Sequence, residues 1–204
     1  MGKNLLLELT EQNIGPFKWL NKSSYTLLSE GGIRIYAPAK TDFFCNPDRT
    51  SVQASAPFLY LDVTGDFVMK AHVSHPFTYQ WDAAVLMIHG DDKHWAKLCF
   101  EGSDFGTQAI VSVVTNNGLS DDANGVNYHW PSVWLQIVRK GNLFGMHYGP
   151  DGQTWNMVRY FTLDVPETIK VGMEAQCPVG QGTNIDFMHF SIQHKTVDDI
   201  RAGI

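Results

Sequence analysis

The sequence contains little that would mark a membrane protein, a secreted protein or a nucleic-acid-binding protein. Its longest uninterrupted apolar run, AAVLMI at 83–88, is far shorter than the roughly 20 residues that cross a bilayer. The opening MGKNLLLELTEQ has only three consecutive leucines before polar residues, so we expect no secretory signal. Basic residues are few, because 15 Lys and Arg stand against 21 Asp and Glu, and the net charge is -6. Nucleic acids and anionic membranes attract positive surfaces, so we expect neither as a partner.

Cysteine is scarce, and the common catalytic and metal-binding motifs are missing. The three cysteines, Cys45, Cys99 and Cys177, cannot all pair, which favours a reducing compartment and predicts a cytoplasmic protein. The sequence has no H-E-x-x-H or C-x-x-C motif for zinc and no G-x-S-x-G motif for a serine nucleophile. No strand has the E-x-D-x-x-E acids of sandwich glucanases. We therefore predict no catalytic residue, metal or cofactor, and an enzyme is the less favoured interpretation.

Helical periodicity is weak, and short runs rich in β-branched and aromatic residues recur instead. Candidate strands occupy residues 32–38, 58–63, 66–74, 83–90, 94–101, 109–115, 133–140, 143–149, 154–161, 168–176 and 185–193. Short polar turns with Gly or Asp separate them, which predicts an all-β antiparallel sandwich or barrel. We expect a single domain over residues 1–204. The proline-containing segment 38–57 is predicted to be a long irregular connection of the kind that often lines a site.

Several short motifs occur in an order typical of one protein family. They are TDFF, DFVMKAHV, WAKLCFE, IVSVVT and SDDANG, followed by HYGPDGQTW, VRYF and DIRAGI. On these motifs the chain resembles the regulation-of-enolase protein family, DUF1349, over about residues 17–203. The resemblance implies a two-sheet antiparallel β-sandwich with jelly-roll topology, as in concanavalin A-like lectins and glucanases, with a concave outer face. It implies no established catalysis, and the family name implies a regulatory role in sugar metabolism.

Two positions depart from the pattern of this family. Gln136 stands where an arginine is usual, which removes a cation from a sheet face and weakens any anion-pairing role there. Gly149 stands where a serine usually precedes PDG, and we attribute this difference to turn chemistry.

The stretch HWAKLCFE at 94–101 supplies the main candidate site. Its residues alternate with period two, as in a strand with one face on the core. Ala96, Leu98 and Phe100 are predicted to face the core, and Trp95, Lys97, Cys99 and Glu101 the opposite side. An aromatic ring beside charged groups suits a sugar, because the ring covers the apolar sugar face while the charges bond hydroxyls. The same side chains could instead form cross-strand ion pairs and an aromatic cover on an exposed sheet.

Three further residues are candidates for the same site. Asp42 and Asp82 each precede apolar strand residues, so either could point into the groove or stabilise a turn. Arg139, near the end of its strand, is an additional polar candidate.

The loop sequence LSDDANG raises the question of calcium. Ser120, Asp121 and Asp122 could supply oxygen ligands. Position 12 of an EF-hand loop that begins at Ser120 falls on Pro131 instead of Glu, however, so we favour an Asx-rich turn.

Two functional hypotheses follow. The first is a non-catalytic module that binds a glycan or sugar phosphate through Trp95, Lys97, Glu101, Asp82, Asp42 and Arg139. The second is an intracellular regulator that docks a metabolic enzyme such as enolase without binding sugar. A glycoside hydrolase is less favoured than either. A monomer and a homodimer are both compatible with the exposed edges of a sandwich.

Overall fold

The computed structural model describes residues 2–204 and is built almost entirely of β-strands. They are β1 (Lys18–Leu20), β2 (Tyr25–Leu27), β3 (Ile33–Pro38), β4 (Phe43–Cys45), β5 (Val52–Ala54), β6 (Phe58–Thr64), β7 (Phe67–Ser74), β8 (Ala83–Asp91), β9 (His94–Gly102), β10 (Gln108–Asn116), β11 (Leu119–Asn127), β12 (Ser132–Lys140), β13 (Leu143–Gly149), β14 (Asn156–Thr162), β15 (Thr168–Gln176) and β16 (Gly182–Gln193). A short 3₁₀ helix, Leu5–Glu8, precedes them. Within residues 2–204, no helix has the length and apolar character needed to cross a bilayer.

The strands form two large sheets and one small hairpin. The first sheet has the order β1-β6-β15-β8-β9-β10-β11, and the second has the order β14-β13-β12-β7-β16-β3-β2. β4 and β5 pair only with each other. The two large sheets are antiparallel throughout and pack face to face, so the predicted antiparallel β-sandwich is confirmed.

The core lies between the two sheets and follows the alternation of the strands. On β9, Ala96, Leu98 and Phe100 are fully buried in this core. The second sheet contributes residues such as Leu135 and Phe187 to the same cluster. The inward face predicted for residues 94–101 is therefore confirmed.

The opposite face of the first sheet is buried as well. Trp95 and Cys99 belong to a second apolar cluster there, together with Val85, Phe43 and Phe58. Phe43 reaches this cluster because the β4–β5 hairpin lies across the outer face of the sheet. The segment predicted to be a long irregular connection thus contains a short hairpin that covers part of the sheet.

One strand of the first sheet contradicts the sequence-based expectation. We predict an Asx-rich turn at residues 120–122, but they lie in β11, which pairs with β10 at the edge of the sheet. Aspartate and asparagine disfavour strands in general, but here their side chains project from an exposed edge strand. Gly125 is needed where β11 passes β10, because a Cβ atom there would lie 2.5 Å from the carbonyl oxygen of Ile110.

Candidate functional site

A small pocket with charged and aromatic side chains in its lining opens on the outer face of the first sheet, beside the β4–β5 hairpin. Its volume is about 160 Å³. β9 forms its floor, and the segment before β4, the segment before β8 and the edge strand β11 form its walls. The side chains that line it are Asp42, Phe44, Trp81, Lys97, Glu101, Asp104, Val113, Asp122 and Gln176. We call this the Lys97 pocket.

Packing and hydrogen bonds hold the hairpin against the sheet. The ring of Phe43 meets that of Trp95 edge-on, with the ring centroids 6.0 Å apart. The Cys45 amide donates a hydrogen bond to Ser120 Oγ at 2.9 Å. Asn21 Nδ2 donates to the carbonyl of Ala54 at 2.8 Å. These contacts fix the wall of the pocket that carries Asp42.

Lys97 is the centre of the pocket and is almost fully buried. Its Nζ donates hydrogen bonds to Asp42 Oδ1 at 2.9 Å and to Gln176 Oε1 at 2.7 Å. Gln176 in turn donates from Nε2 to the carbonyl of Trp81 at 2.9 Å. Burial alone would lower the pKa of Lys97, but the negative charges around it, Asp42 first among them, outweigh burial and raise this pKa. Lys97 is therefore a permanent cation. Its hydrogen-bond network joins β9 and β15 to the segment before β4, which carries Asp42, and to the segment before β8, which carries Trp81.

Two glutamates beside Lys97 are buried without an ion pair of their own. Burial raises the pKa of Glu101 well above its ordinary range. Burial also raises the pKa of Glu174 to about 8, and neither of its carboxyl oxygens has a hydrogen-bond partner in residues 2–204. With its pKa raised to about 8, Glu174 holds a proton at neutral pH and can donate as well as accept hydrogen bonds, and burial shifts the pKa of Glu101 in the same direction.

Trp81 supplies the aromatic side of the pocket. Its backbone φ is 64°, in the left-handed region that few non-glycine residues adopt, and such conformations are concentrated at functional sites. Its Nε1 donates to Asp104 Oδ1 at 2.9 Å, and Asn124 donates to the other oxygen of Asp104 at 3.1 Å. The indole is thereby held at the rim with part of its surface open to solvent.

The structure brings together three of the six residues predicted from the sequence. Asp42, Lys97 and Glu101 line the Lys97 pocket. Trp95 is only 2% exposed and lies beside the pocket under Phe43, outside the lining.

Asp82 and Arg139 are not part of the pocket lining: Asp82 directly follows Trp81 in the chain, and Arg139 lies on the other sheet. Asp82 is fully buried and accepts a hydrogen bond from the Tyr79 amide at 3.0 Å. Arg139 lies on the second sheet, where its guanidinium donates to the carbonyls of Gly141, Pro166 and Glu167, each at 2.8 Å. Three carbonyl acceptors explain how this arginine is buried without a carboxylate partner.

Sequence reasoning does not single out Trp81 and Gln176. Trp81 lies in a loop, so strand alternation says nothing about its direction. Gln176 ends β15, and only the pairing of β15 with β8 places it near Lys97. The WD pair before an apolar strand is the one signal that points to Trp81.

The pocket suits a hydroxylated ligand better than a metal ion. No group of three or more His, Cys, Asp or Glu side chains among residues 2–204 is arranged to hold a metal. The lining offers one ammonium, several carboxyl groups, an amide and an indole. These are the groups that proteins use to orient a small polar compound through hydrogen bonds and ring contact.

Comparison with known proteins places the chain among proteins of similar sequence and fold. The model of the family described as "Protein of unknown function (DUF1349)" matches residues 19–195. Regulation of enolase protein 1 of Saccharomyces cerevisiae is 26% identical over 188 residues, which are 92% of this chain and 94% of that protein. The crystal structure of a functionally unknown protein from Saccharomyces cerevisiae has a TM-score of 0.81 at 27% identity, and the match covers 89% of this chain and 98% of the other.

More distant structures share the fold alone. The GH43 protein BlXynB from Bacillus licheniformis has a TM-score of 0.75 at 13% identity, and the match covers 94% of this chain but 39% of that one. The exoplasmic/lumenal domain of VIP36, in its Ca²⁺/Man3GlcNAc-bound form, has a TM-score of 0.60 at 11% identity, with 92% and 87% of the two chains covered.

Proposed function

We propose that this chain, which belongs to the family described as "Protein of unknown function (DUF1349)", is a non-catalytic module that binds a neutral sugar in the Lys97 pocket. One observation carries the proposal. A partly open indole, Trp81, faces the same small pocket as the Lys97–Asp42 pair and Glu101. The exoplasmic/lumenal domain of VIP36, named in a Ca²⁺/Man3GlcNAc-bound form, shares the fold of this chain.

The charges of the pocket favour a neutral ligand over a sugar phosphate. Lys97 is already paired with Asp42, and of the described side chains that line the pocket it is the sole cation. Asp104 and Asp122 stand at the rim. A phosphate would approach these carboxylates without a free cation to meet it, whereas sugar hydroxyls can donate to them. We therefore propose that the ligand contacts Asp42, Lys97 and Glu101 by hydrogen bonds, with Trp95 supporting the wall from below.

We further propose a regulatory role in the cytoplasm for a single domain spanning residues 1–204. The relative named Regulation of enolase protein 1 supports regulation of metabolism. Cys45, Cys99 and Cys177 are all buried as free thiols, as is usual in a reducing compartment. Both large sheets contribute side chains to one core, which supports a single folding unit.

Replacing Trp81 by alanine is expected to weaken sugar binding at least about tenfold, because the ring contact with the apolar face of the sugar is lost. The measurement is isothermal titration calorimetry with glucose, galactose, mannose, xylose and their short oligosaccharides. The matched control is Trp130→Ala, which removes an exposed tryptophan that does not line the pocket. Equal affinities of Trp81→Ala and the unmodified protein, or no binding of any of these sugars at millimolar concentration, would contradict the proposal.

A second candidate function is docking to a metabolic enzyme. Phe105 is 80% exposed and Trp130 is 68% exposed. Both lie at one end of the sandwich, since the turn with Phe105 joins β9 to β10 and Trp130 follows β11, which ends beside the start of β10. Exposed aromatic side chains of this kind are frequent anchors of protein interfaces.

For this docking function we expect the protein to bind purified Saccharomyces cerevisiae enolase, with Phe105→Ala or Trp130→Ala lowering the affinity at least about tenfold. Biolayer interferometry measures the affinities. Tyr36→Ala, which removes an exposed aromatic ring on β3 of the second sheet, is the control that should leave enolase binding intact. Failure of the unmodified protein to bind enolase would remove this candidate, and sugar binding would remain a separate question.

A further inference from the structure

The second sheet has a cleft of its own on its outer face. The cleft has a volume of about 420 Å³ and lies between β7, β12, the loop after β13 and the segment after β16. Its polar and aromatic lining includes Lys70, Gln136, Gln153, Trp155, Gln193 and Lys195. This cleft belongs to the other sheet and shares no lining residue with the Lys97 pocket.

Lys70 is a half-buried cation without a carboxylate of residues 2–204 within ion-pair distance. Its Nζ donates to the carbonyl of Gly152 at 3.1 Å and lies 4.6 Å from the centroid of the Trp155 ring. No ion pair within 4.0 Å joins Lys70 or Lys195 to a carboxylate of residues 2–204, although Asp198 lies at the exposed rim. Burial and the neighbouring charge of Lys195 lower the pKa of Lys70. A small anion that entered the cleft would pair with these two ammonium groups, neither of which is held in an ion pair.

Gln136 adds a buried acceptor to the floor of the cleft. The side chain is fully buried, and its Nε2 donates to the carbonyl of Gly203 at 3.0 Å. Its Oε1 has no hydrogen-bond donor in the described part of the chain. A buried acceptor without a donor is unfavourable, so a hydroxyl group that reached it would be bound with a gain in stability.

We infer that this cleft is a second binding site, for a small compound that combines an anionic group with hydroxyl groups. Lys70 and Lys195 meet the anion, Gln136 accepts from a hydroxyl, and Trp155 covers one side of the carbon skeleton. Sugar phosphates and sugar acids both have this chemistry. The cleft thus takes the charged compounds that the carboxylates of the Lys97 pocket disfavour.

The test is isothermal titration calorimetry with glucose 6-phosphate, gluconate, glucose and inorganic phosphate. We expect glucose 6-phosphate or gluconate to bind, and the stronger of the two identifies phosphate or carboxylate as the anion. Lys70→Gln should weaken this binding at least about tenfold, whereas Lys140→Gln, which removes the same charge from an exposed position at the end of β12, should not. Gln136→Met should weaken the hydroxylated anions more than inorganic phosphate.

Two results would overturn the inference. One is glucose binding to the Trp81→Ala variant, whose Lys97 pocket is impaired, as tightly as glucose 6-phosphate and gluconate do, which would mean that the lysines play no part. The other is unchanged affinity for all anions in both Lys70→Gln and Lys195→Gln. Lys195 is exposed, so its variant should fold even if Lys70→Gln does not. Trp81→Ala should leave anion binding intact, so the result stands apart from any test of the Lys97 pocket.

Discussion

Replacing Lys97 by methionine is expected to lower the free energy of unfolding by about 3 kcal/mol and to abolish sugar binding. Methionine has a length similar to that of lysine but carries no charge, so the substitution leaves Asp42 without its cation. The side chain of Asp42 is only 19% exposed. The substitution also removes the donor to Gln176. Removing one partner of a buried ion pair costs more than the pair itself contributes, because the remaining charge is still buried. Urea-induced unfolding followed by fluorescence at pH 7 measures the loss.

Two control variants separate the possible causes. Lys18→Met breaks the exposed pair with Asp62, whose charged atoms are 2.7 Å apart, and should cause a much smaller loss because solvent screens that pair. The double substitution of Lys97→Met with Asp42→Asn should recover much of the lost stability, since no buried charge is then unpaired, but it should not recover sugar binding. If Lys97→Met behaved like Lys18→Met, the hairpin would not depend on the buried pair.

Most of the fold is predictable from the sequence, because strand alternation and turn residues are local signals. Every predicted strand is present, and Lys97 and Glu101 lie on the same side of β9 as the alternation requires. The three-residue strands β1, β2, β4 and β5 are too short for a period-two pattern to be visible. β11 is missed for a different reason, because its aspartates and asparagines are held in a strand only by pairing with β10.

The pocket is less predictable, because it depends on contacts between distant segments. The alternation of β9 places Trp95 on the outer side, but only the hairpin around Phe43 decides that this tryptophan is buried. Trp81 takes its direction from a left-handed backbone conformation in a loop. Arg139 lies at the end of β12 on the other sheet, and its carbonyl partners come from the loop before β15 and from the β12–β13 turn. None of these relations is visible in local sequence.

Replacing Glu174 by glutamine is expected to change how stability depends on pH. Burial raises the pKa of Glu174 to about 8 in the folded protein, while the unfolded chain has the ordinary value near 4.5. Between these values the unfolded chain has released the proton that the folded protein still holds. The contribution of protonated Glu174 to the free energy of unfolding is therefore complete below about pH 4.5. It is lost as the pH rises toward 8, by at most about 1.4 kcal/mol per pH unit. Glutamine does not titrate, so the variant should be more stable than the unmodified protein by about 4 kcal/mol at pH 8.

The measurement is the free energy of unfolding between pH 6.5 and pH 9. Buried histidines such as His75, whose pKa burial lowers to about 4, are neutral in both the folded and the unfolded chain over most of this window and affect its lower end equally in both proteins. Burial also raises the pKa of Glu101, which is still present in the variant. The free energy of unfolding of Glu174→Gln should therefore still fall with pH, but less steeply than that of the unmodified protein. The exposed Glu30→Gln is the control and should run parallel to the unmodified protein. A constant difference between Glu174→Gln and the unmodified protein across this window would show that Glu174 is ionised in the fold.

The expected gain from Glu174→Gln also bears on function. A carboxyl group buried without a hydrogen-bond partner weakens the fold at neutral pH, and an amide or an apolar side chain at position 174 would avoid most of that penalty. Glu174 and Glu101 both lie beside Lys97, where their protons and charges can respond to a bound ligand. Ionisable groups kept at a cost to stability are concentrated at functional sites. If Glu174→Gln is more stable than the unmodified protein and also binds sugar more weakly, the carboxyl group of Glu174 contributes to ligand binding and not to the stability of the fold.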